Sequence, residues 1–288
     1  VTTPKHSSLA TIALILGGVA IGITEFVTMG LLPQIAGGVR VDIPTAGHAI
    51  SAYAVGVVIG APVLAAGGAA KPRKGLLLGL VVAIIVGNVL SALAPGYGSL
   101  VGARVLAGLP HGAYFGVATL VAIDLAPAGQ AGRAVGRVML GIPIANVAGV
   151  PLVTWMGQAI GWRSAYWFVA VVALGALAMI AVFVPRIVQA DANSVMQELR
   201  AFGSMQVALT FIAGSIGFGG MFAMYSYVAP LITEVAGQPG RFVPVALFAF
   251  GLGGIVGNTI GGRMSDWSVL RTIVIASVGM SVVLVVLA

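Results

Sequence analysis

Apolar runs long enough to cross a lipid bilayer recur along this chain, and they restrict its fold more than any other feature. A helix needs roughly 20 apolar residues to span about 30 Å of hydrocarbon. Nine such segments lie near residues 9–35, 47–70, 76–94, 99–125, 134–160, 164–184, 205–233, 242–262 and 272–288. Because lipid does not tolerate unpaired backbone groups, this pattern predicts an all-α polytopic membrane protein.

Charged side chains are too few to cover a soluble protein of this size. Only 7% of the 288 residues are charged and 59% are hydrophobic, whereas soluble domains carry about 25% charged residues. The 42 glycines suit close helix contacts in lipid. With no cysteine and only three scattered histidines, neither a disulfide nor a metal site is expected, and no motif indicates a cofactor.

The net charge of +7 reflects membrane topology, so no nucleic-acid partner is expected. Arg104 falls near or within a predicted span, and the other bases divide unequally between the two sides of the membrane. Bases on the N-terminal side are Lys5, Lys71, Arg73, Lys74, Arg133, Arg137, Arg186, Arg200, Arg263 and Arg271, against Arg40, Arg163 and Arg241 on the other side. The positive-inside rule therefore predicts a cytoplasmic N-terminus in a multi-pass protein.

The polar stretch 185–204 divides the predicted spans into six and three. Ser194 and Gln197 have the spacing of a capping box, so this cytoplasmic loop forms either a short surface helix or a flexible tether. We expect a six-helix bundle over residues 1–184 and a partial second bundle over 205–288. The chain starts without a methionine and stops within an apolar run, which predicts a fragment of a twelve-span protein.

Several short motifs resemble those of the major facilitator superfamily. The general ones are Gly262-x-x-x-Asp266, Leu100-x-x-x-Arg104-x-x-x-Gly108 and Gly161-Trp162-Arg163. More specific ones are Thr24-Glu25-Phe26, Gly30-Leu31-Leu32-Pro33, Pro44-x-Ala46-Gly47-His48, Gly56-Val57-Val58-x-Gly60-Ala61-Pro62, Pro110-His111-Gly112-Ala113, Ala145-Asn146-x-x-Gly149-x-Pro151 and Ser226-Tyr227-Val228. Together they resemble the bacterial arabinose-efflux permease branch of proton-coupled drug and sugar exporters.

This resemblance implies a helical transporter in a bacterial cytoplasmic membrane. The sequence departs from the family pattern at Lys71, where an aspartate is usual, and at Ala107, where a glutamine is common. The Gly-Pro pattern of drug antiporters is only loosely met by Gly149-Val150-Pro151. These departures weaken the case for a multidrug exporter but leave the expected fold unchanged.

Glu25 is the strongest single functional signal, because a carboxylate within a span is costly and usually marks a pathway or proton site. Arg104 either neutralises Glu25 or lies at the end of its span and reaches the interface. His111 is a further proton-exchanging candidate, or a donor to a solute hydroxyl. Glu25 and His111 also have a structural alternative, in which the side chain only stabilises helix packing by hydrogen bonds. We expect Glu25, Arg104 and His111 to couple protons to transport.

Neutral polar side chains within spans predict the solute site. Tyr53, Asn146, Tyr225 and Tyr227, together with His111, can hydrogen-bond a solute without carrying charge. They can equally join helices, with a stabilisation of roughly 0.6 kcal/mol each. Polar side chains at the predicted cytoplasmic turns form the expected gate, namely Lys71, Arg73, Asp266 and Arg271. Rows of glycine, such as Gly56 with Gly60 and Gly253 with Gly257 and Gly261, predict close helix packing.

The function expected from these features is proton-coupled export of a small sugar-like or drug-like solute. No phosphate-binding loop indicates ATP coupling, and no catalytic constellation indicates an enzyme. Alternatives are a uniporter or importer of the same fold, a solute-binding receptor, or a structural subunit. The expected partners are the solute, protons and the lipid bilayer, with the protein acting as a monomer.

Overall fold

The computed structural model describes residues 4–68, 71–127, 130–186 and 204–287. All regular structure among these residues is helical. The first six spans contain α1 (Pro4–Gly30), α2 (Leu32–Val39), α3 (Ile43–Gly68), α4 (Arg73–Leu93), α5 (Tyr97–Gly108), α6 (Pro110–Leu125), α7 (Ala131–Met139), α8 (Gly141–Ile144), the π-helix π1 (Ala145–Gly149), α9 (Val150–Ile160) and α10 (Arg163–Phe183). The remainder contains α11 (Met205–Ser226), α12 (Val228–Pro230), π2 (Leu231–Val235), α13 (Phe242–Trp267) and α14 (Val269–Leu287).

Each of the nine predicted spans is helical, which confirms the all-α fold class. Seven helical stretches are long and apolar enough to cross a membrane, and α13 and α14 contain shorter apolar stretches, Phe242–Gly257 and Leu270–Val283, within the described residues. The predicted surface helix or tether at 194–197 lies outside the described part of the chain.

Successive spans alternate in direction, which gives the bundle two faces. The face at which α1 begins, here called the N-terminal face, also carries the turns near residues 72, 127 and 268. The opposite face carries α2, the turns at 94–96 and 161–162, and the segment 227–241. Asp42 begins α3 there by accepting a hydrogen bond from the Thr45 amide at 3.0 Å. Hydrogen bonds from Thr45 lower the pKa of the exposed Asp42 carboxyl.

Glycine allows α3 and α5 to pack backbone against backbone, as the sequence predicts. A Cβ atom at Gly56 would lie 2.2 Å from the Val105 carbonyl oxygen, and one at Gly60 would lie 2.0 Å from that of Leu109. No larger side chain fits at either position without moving the backbone. This contact places Tyr53 of α3 alongside Arg104 of α5.

The predicted glycine row in α13 does not pack in the same way. A Cβ atom at Gly253 or Gly257 would meet no atom within 4 Å. Instead Gly251 makes the close contact, since a Cβ atom there would lie 2.8 Å from the carbonyl carbon and oxygen of Asn146. Among the described residues, Gly253 and Gly257 therefore make no close helix contact, whereas Gly251 lies on the side of α13 that meets the first six spans.

Two interruptions of the helices coincide with prolines. Pro110 begins α6 directly after the break at Leu109. Pro143 and Pro151 flank π1, in which each hydrogen bond spans one residue more than in an α-helix. π-Helices are uncommon and are often found at functional sites. Asn146, a predicted site residue, lies within π1.

Candidate functional site

Glu25 lies near the C-terminal end of α1 and is half-buried, whereas Thr24, Phe26 and Thr28 around it are buried. Arg104 of α5, which stacks on Tyr53 of α3, donates to the carbonyl of the residue before Glu25, and Tyr225 of α11 packs on the residue after it. Glu25 and Arg104 do not form a direct ion pair, because the described residues contain one such pair and it joins Arg73 to Asp124. The carboxylate is therefore near a cation but is not neutralised by direct contact.

Arg104 is fully buried, with 0% of its surface exposed, so it does not reach toward the membrane interface. Its guanidinium lies 4.5 Å from the centre of the Tyr53 ring and 5.7 Å from that of Tyr166, which is favourable for a cation. Nη2 donates to the Thr24 carbonyl at 2.8 Å. Nε and Nη1 have no hydrogen-bond partner. The Arg104 guanidinium therefore has two N–H groups that can still donate to another group.

Tyr53 connects Arg104 to His111. The Tyr53 hydroxyl and the Nδ1 atom of His111 share a hydrogen bond of 2.9 Å between α3 and α6. The His111 ring also contacts Phe115, with ring centres 5.5 Å apart. The structure thus places Glu25, Arg104, Tyr53 and His111, all predicted site residues, in one cluster at mid-span.

Tyr225 approaches this cluster from α11. It is 1% exposed, and its ring packs at 5.2 Å from Phe26 and 4.4 Å from Phe250. Its hydroxyl is buried and has no hydrogen-bond partner. Tyr225 therefore brings an unused polar group from the last three spans to the neighbourhood of Glu25.

Asn146 lies in π1, at the junction between α13 and the first six spans. Its neighbour Ala145 packs on Gly22 of α1, three residues before Glu25 along the helix. The Oδ1 atom of Asn146 is buried and has no hydrogen-bond partner. It is thus a free acceptor in the same region as the Tyr225 hydroxyl.

The other predicted site residues lie away from this cluster. Tyr227 is 38% exposed and packs on Gly47 at the opposite face. Arg73 pairs with Asp124 at the N-terminal face, and the neighbouring Lys74 donates to the Ala181 carbonyl at 2.7 Å. Lys71 and Arg271 are exposed at the same face. The Asp266 side chain lies outside the described part of the structure.

Sequence reasoning missed Tyr166 at the cluster and Asp124 at the N-terminal face, and Asn88 is a further polar residue that contacts the cluster. Tyr166 of α10 shares a 2.8 Å hydrogen bond with Thr28 and lies near Arg104. Asn88 of α4 donates to Thr24, and Asp124 of α6 pairs with Arg73. Asn88 is a polar residue in the middle of an apolar run, which was a usable signal. For Tyr166, near the end of its span, no such signal exists.

Comparison with known proteins identifies the family. The model of the Major Facilitator Superfamily matches residues 14–288. The chain belongs to this superfamily. Members are membrane transporters and not enzymes, as the motifs predicted. In the residues that the structure describes, no group of three or more potential metal ligands occurs.

Curated relatives agree with the exporter branch to which the motifs pointed. The inner membrane transport protein YdhP of Escherichia coli is 39% identical over 91% of this chain and 67% of its own length. A chloramphenicol resistance protein of Streptomyces lividans is 35% identical over 86% and 64%, respectively. A probable sugar efflux transporter of Pasteurella multocida is 27% identical over 90% and 64%. The chain thus spans about two thirds of the length of these relatives.

Solved structures share the same fold. A bacterial homologue of the human lysosomal transporter Spinster matches with a TM-score of 0.75 and 16% identity. The match covers 94% of this chain and 64% of that protein. At this identity the likeness concerns the fold, which is that of the superfamily.

Proposed function

We propose that this protein exports a small sugar-like or drug-like solute in exchange for protons, by alternating access of one central site to the two sides of the membrane. Membership of a transporter superfamily supports transport. Relatives named for chloramphenicol resistance and sugar efflux support the outward direction and these two solute classes. Proton coupling is supported by the site itself.

The observation that carries the proposal is the buried Arg104 guanidinium beside Glu25, with two nitrogen atoms unpartnered. In a medium of low dielectric constant, a charged carboxylate is costly unless a cation or water stabilises it. Approach of Arg104 favours the charged form of Glu25, and separation from it favours the protonated form. A movement that alters this approach therefore loads or releases a proton.

The solute site is formed by the neutral polar groups around this pair. The Tyr225 hydroxyl and the Asn146 Oδ1 atom are buried without partners, so they are available to a ligand. Tyr53 and His111 add a second donor–acceptor pair. Groups of this kind suit hydroxyl-bearing or amide-bearing solutes, and the surrounding Phe26, Phe222 and Phe250 rings suit an apolar face.

The contacts between the first six spans and the last three favour a site closed at the opposite face. Gln158 donates to the Gly240 carbonyl at 2.9 Å, and Gly30 packs against Leu247. At the N-terminal face we propose a gate of Lys71, Arg73, Asp266 and Arg271, in which the residue 266 carboxylate meets a cation when that face closes. Alternation between the two closed arrangements would carry the solute across.

Replacement of Glu25 by Gln tests the proton-coupling role. Glu25→Gln keeps the shape of the side chain but cannot release a proton, so proton-driven export should fall by about 5- to 150-fold, the usual range of coupling between two sites. Binding and exchange of the solute should persist. The measurement is export of labelled chloramphenicol and of a labelled pentose from proteoliposomes, with and without a proton gradient, per folded molecule.

Glu234→Gln is the matched control, because Glu234 is an exposed carboxylate of π2. It should leave export unchanged. Proton-driven export by Glu25→Gln at the level of the parent protein would refute the assignment. Binding of solute without flux in the parent protein would point to a receptor instead.

The direction of export depends on a cytoplasmic N-terminus, which cysteine labelling can test. The parent chain has no cysteine, so a single one reports without background. Lys71→Cys lies at the N-terminal face and is exposed, and Arg40→Cys lies at the opposite face. A membrane-impermeant maleimide applied to intact cells should label only the second. Labelling of Lys71→Cys from outside would reverse the orientation.

A further inference from the structure

Asn88 of α4 is a fully buried polar residue whose amide nitrogen is hydrogen-bonded and whose amide oxygen is not. Its Nδ2 atom donates to the Ile84 carbonyl at 2.8 Å and to the Thr24 hydroxyl oxygen at 3.0 Å. Its Oδ1 atom is buried and has no hydrogen-bond partner. The first bond lies within the helix, but the second joins α4 to α1 at the residue before Glu25.

Thr24 is held from two sides at once. Its hydroxyl donates to the Ala20 carbonyl at 2.7 Å, which leaves the oxygen free to accept from Asn88. Its carbonyl accepts from Arg104 Nη2 at 2.8 Å. Asn88 and Arg104 therefore attach to two groups of one residue, and together they determine where the backbone of α1 places Glu25 relative to the guanidinium.

The lack of charge at residue 88 matters as much as its hydrogen bond. Arg104 has two unpartnered donors, and Asn88 attached to the same threonine has an unpartnered acceptor. A carboxylate at position 88 would attract the guanidinium through space, and this attraction is stronger at low dielectric than in water. The neutral amide instead leaves the Arg104 charge available to Glu25.

We propose that Asn88 is a positioning residue of the proton site, which anchors Thr24 against Arg104 and, by being neutral, leaves the Arg104 charge to act on Glu25. This inference rests on the proposed proton-coupling role of Glu25. The other titratable groups near Glu25 are Tyr53 of α3, which contacts Arg104, Tyr225 of α11, which packs on Phe26, and His111 of α6, which bonds to Tyr53.

A cysteine at the opposite face can report whether that face is open or closed. This measurement does not require that the solute is known. Gly240→Cys retains the carbonyl that accepts from Gln158, and its new side chain has room, since a Cβ atom there would lie 3.8 Å from Gln158 Nε2. The rate of maleimide labelling at this position in proteoliposomes is measured across pH. Protonation of Glu25 should change the exposure of the opposite face and give a profile with a midpoint.

Two variants separate charge from anchoring. Asn88→Asp should shift the midpoint upward by about one pH unit or more, because a nearby charge changes carboxyl titration by about 1–3 units. Asn88→Leu loses the anchor but stays neutral, so its upward shift should be smaller. Ser91→Ala is the matched control: Ser91 is also buried in α4, but its hydroxyl bonds only within the helix, to the Gly87 carbonyl at 2.7 Å. It should leave the midpoint unchanged.

An unchanged midpoint in Asn88→Asp, or a shift in Asn88→Leu as large as that in Asn88→Asp, would overturn the proposal. If Asn88→Asp is not recovered folded, Asn88→Leu decides alone, with an upward shift in support and an unchanged midpoint against. Glu25→Gln with the same reporter should flatten the profile. If it does not, the role of Glu25 fails; if it does and Asn88→Asp has no effect, only the role of Asn88 fails.

Discussion

The first six spans and the last three contribute different chemistry to the middle of the molecule. Glu25, Arg104 and His111 all come from α1, α5 and α6. The last three spans contribute rings, namely Phe222 and Tyr225 of α11 and Phe250 of α13. In the described part of the chain, the ionisable cluster thus belongs to the first six spans, and the last three contribute aromatic groups next to it.

The two regions also differ in packing. α1, α4 and α10 share a continuous apolar core, in which Leu14, Leu77 and Val169 are fully buried. Between α11 and α14, by contrast, lies an apolar groove of about 650 Å³. A buried charge is stabilised by the dipoles and rings packed around it, and these interactions are stronger at low dielectric. Under the proposed function, the proton site therefore lies in the well-packed region of the first six spans.

Substitution of Arg104 should have the largest effect on this division of roles. Lysine lacks the planar guanidinium that stacks on two rings, so Arg104→Lys should reduce proton-driven export by about 5- to 150-fold. Arg163→Lys is a matched control, because Arg163 also stacks on a ring, Trp162, and donates to a carbonyl, that of Ala94. It should lower folded yield without altering coupling. Equal loss of coupling in both variants would break the comparison.

Removal of the Tyr225 hydroxyl should have an intermediate effect. Tyr225→Phe keeps the ring contacts with Phe26 and Phe250 but removes one hydrogen-bonding group, so solute affinity should fall by about three- to tenfold, as for a single neutral hydrogen bond. Tyr227→Phe, at the exposed neighbour, should leave affinity unchanged. Solute binding and pH dependence are measured separately. A loss of pH dependence in Tyr225→Phe would mean that the second region takes part in proton chemistry as well.

Neutralisation of Asp266 should have the smallest effect. If the residue forms part of the gate at the N-terminal face, Asp266→Asn should slow turnover by up to about fivefold, since exposed ion pairs contribute at most about 1 kcal/mol. Affinity should change less than turnover. Asp42→Asn, which changes an exposed carboxylate at the opposite face, provides the control for general charge effects. Unchanged turnover in Asp266→Asn would remove this carboxylate from the gate.

Much of the candidate site was predictable, because polar residues in apolar runs are easily recognised. Glu25, Arg104, His111 and Tyr53 were selected in this way, and the structure brings them together. Tyr227 was selected by the same criterion but lies at a helix end, where a phenol reaches the interface. A polar residue near the middle of a span joined the cluster, whereas one at the end of a span did not. The sequence could not make this distinction reliably, because helix boundaries predicted from it are uncertain by several residues.

The sequence by itself determined the class of the protein, since backbone groups in lipid must be paired and only long apolar helices achieve this here. It also determined the family, through short motifs. Only the tertiary structure decided which polar groups meet, because Asn88, Arg104 and Thr24 lie on three helices whose rotation and register depend on packing. For the same reason, the structure alone showed that Gly251 of α13 packs against the first six spans, whereas Gly253 and Gly257 do not.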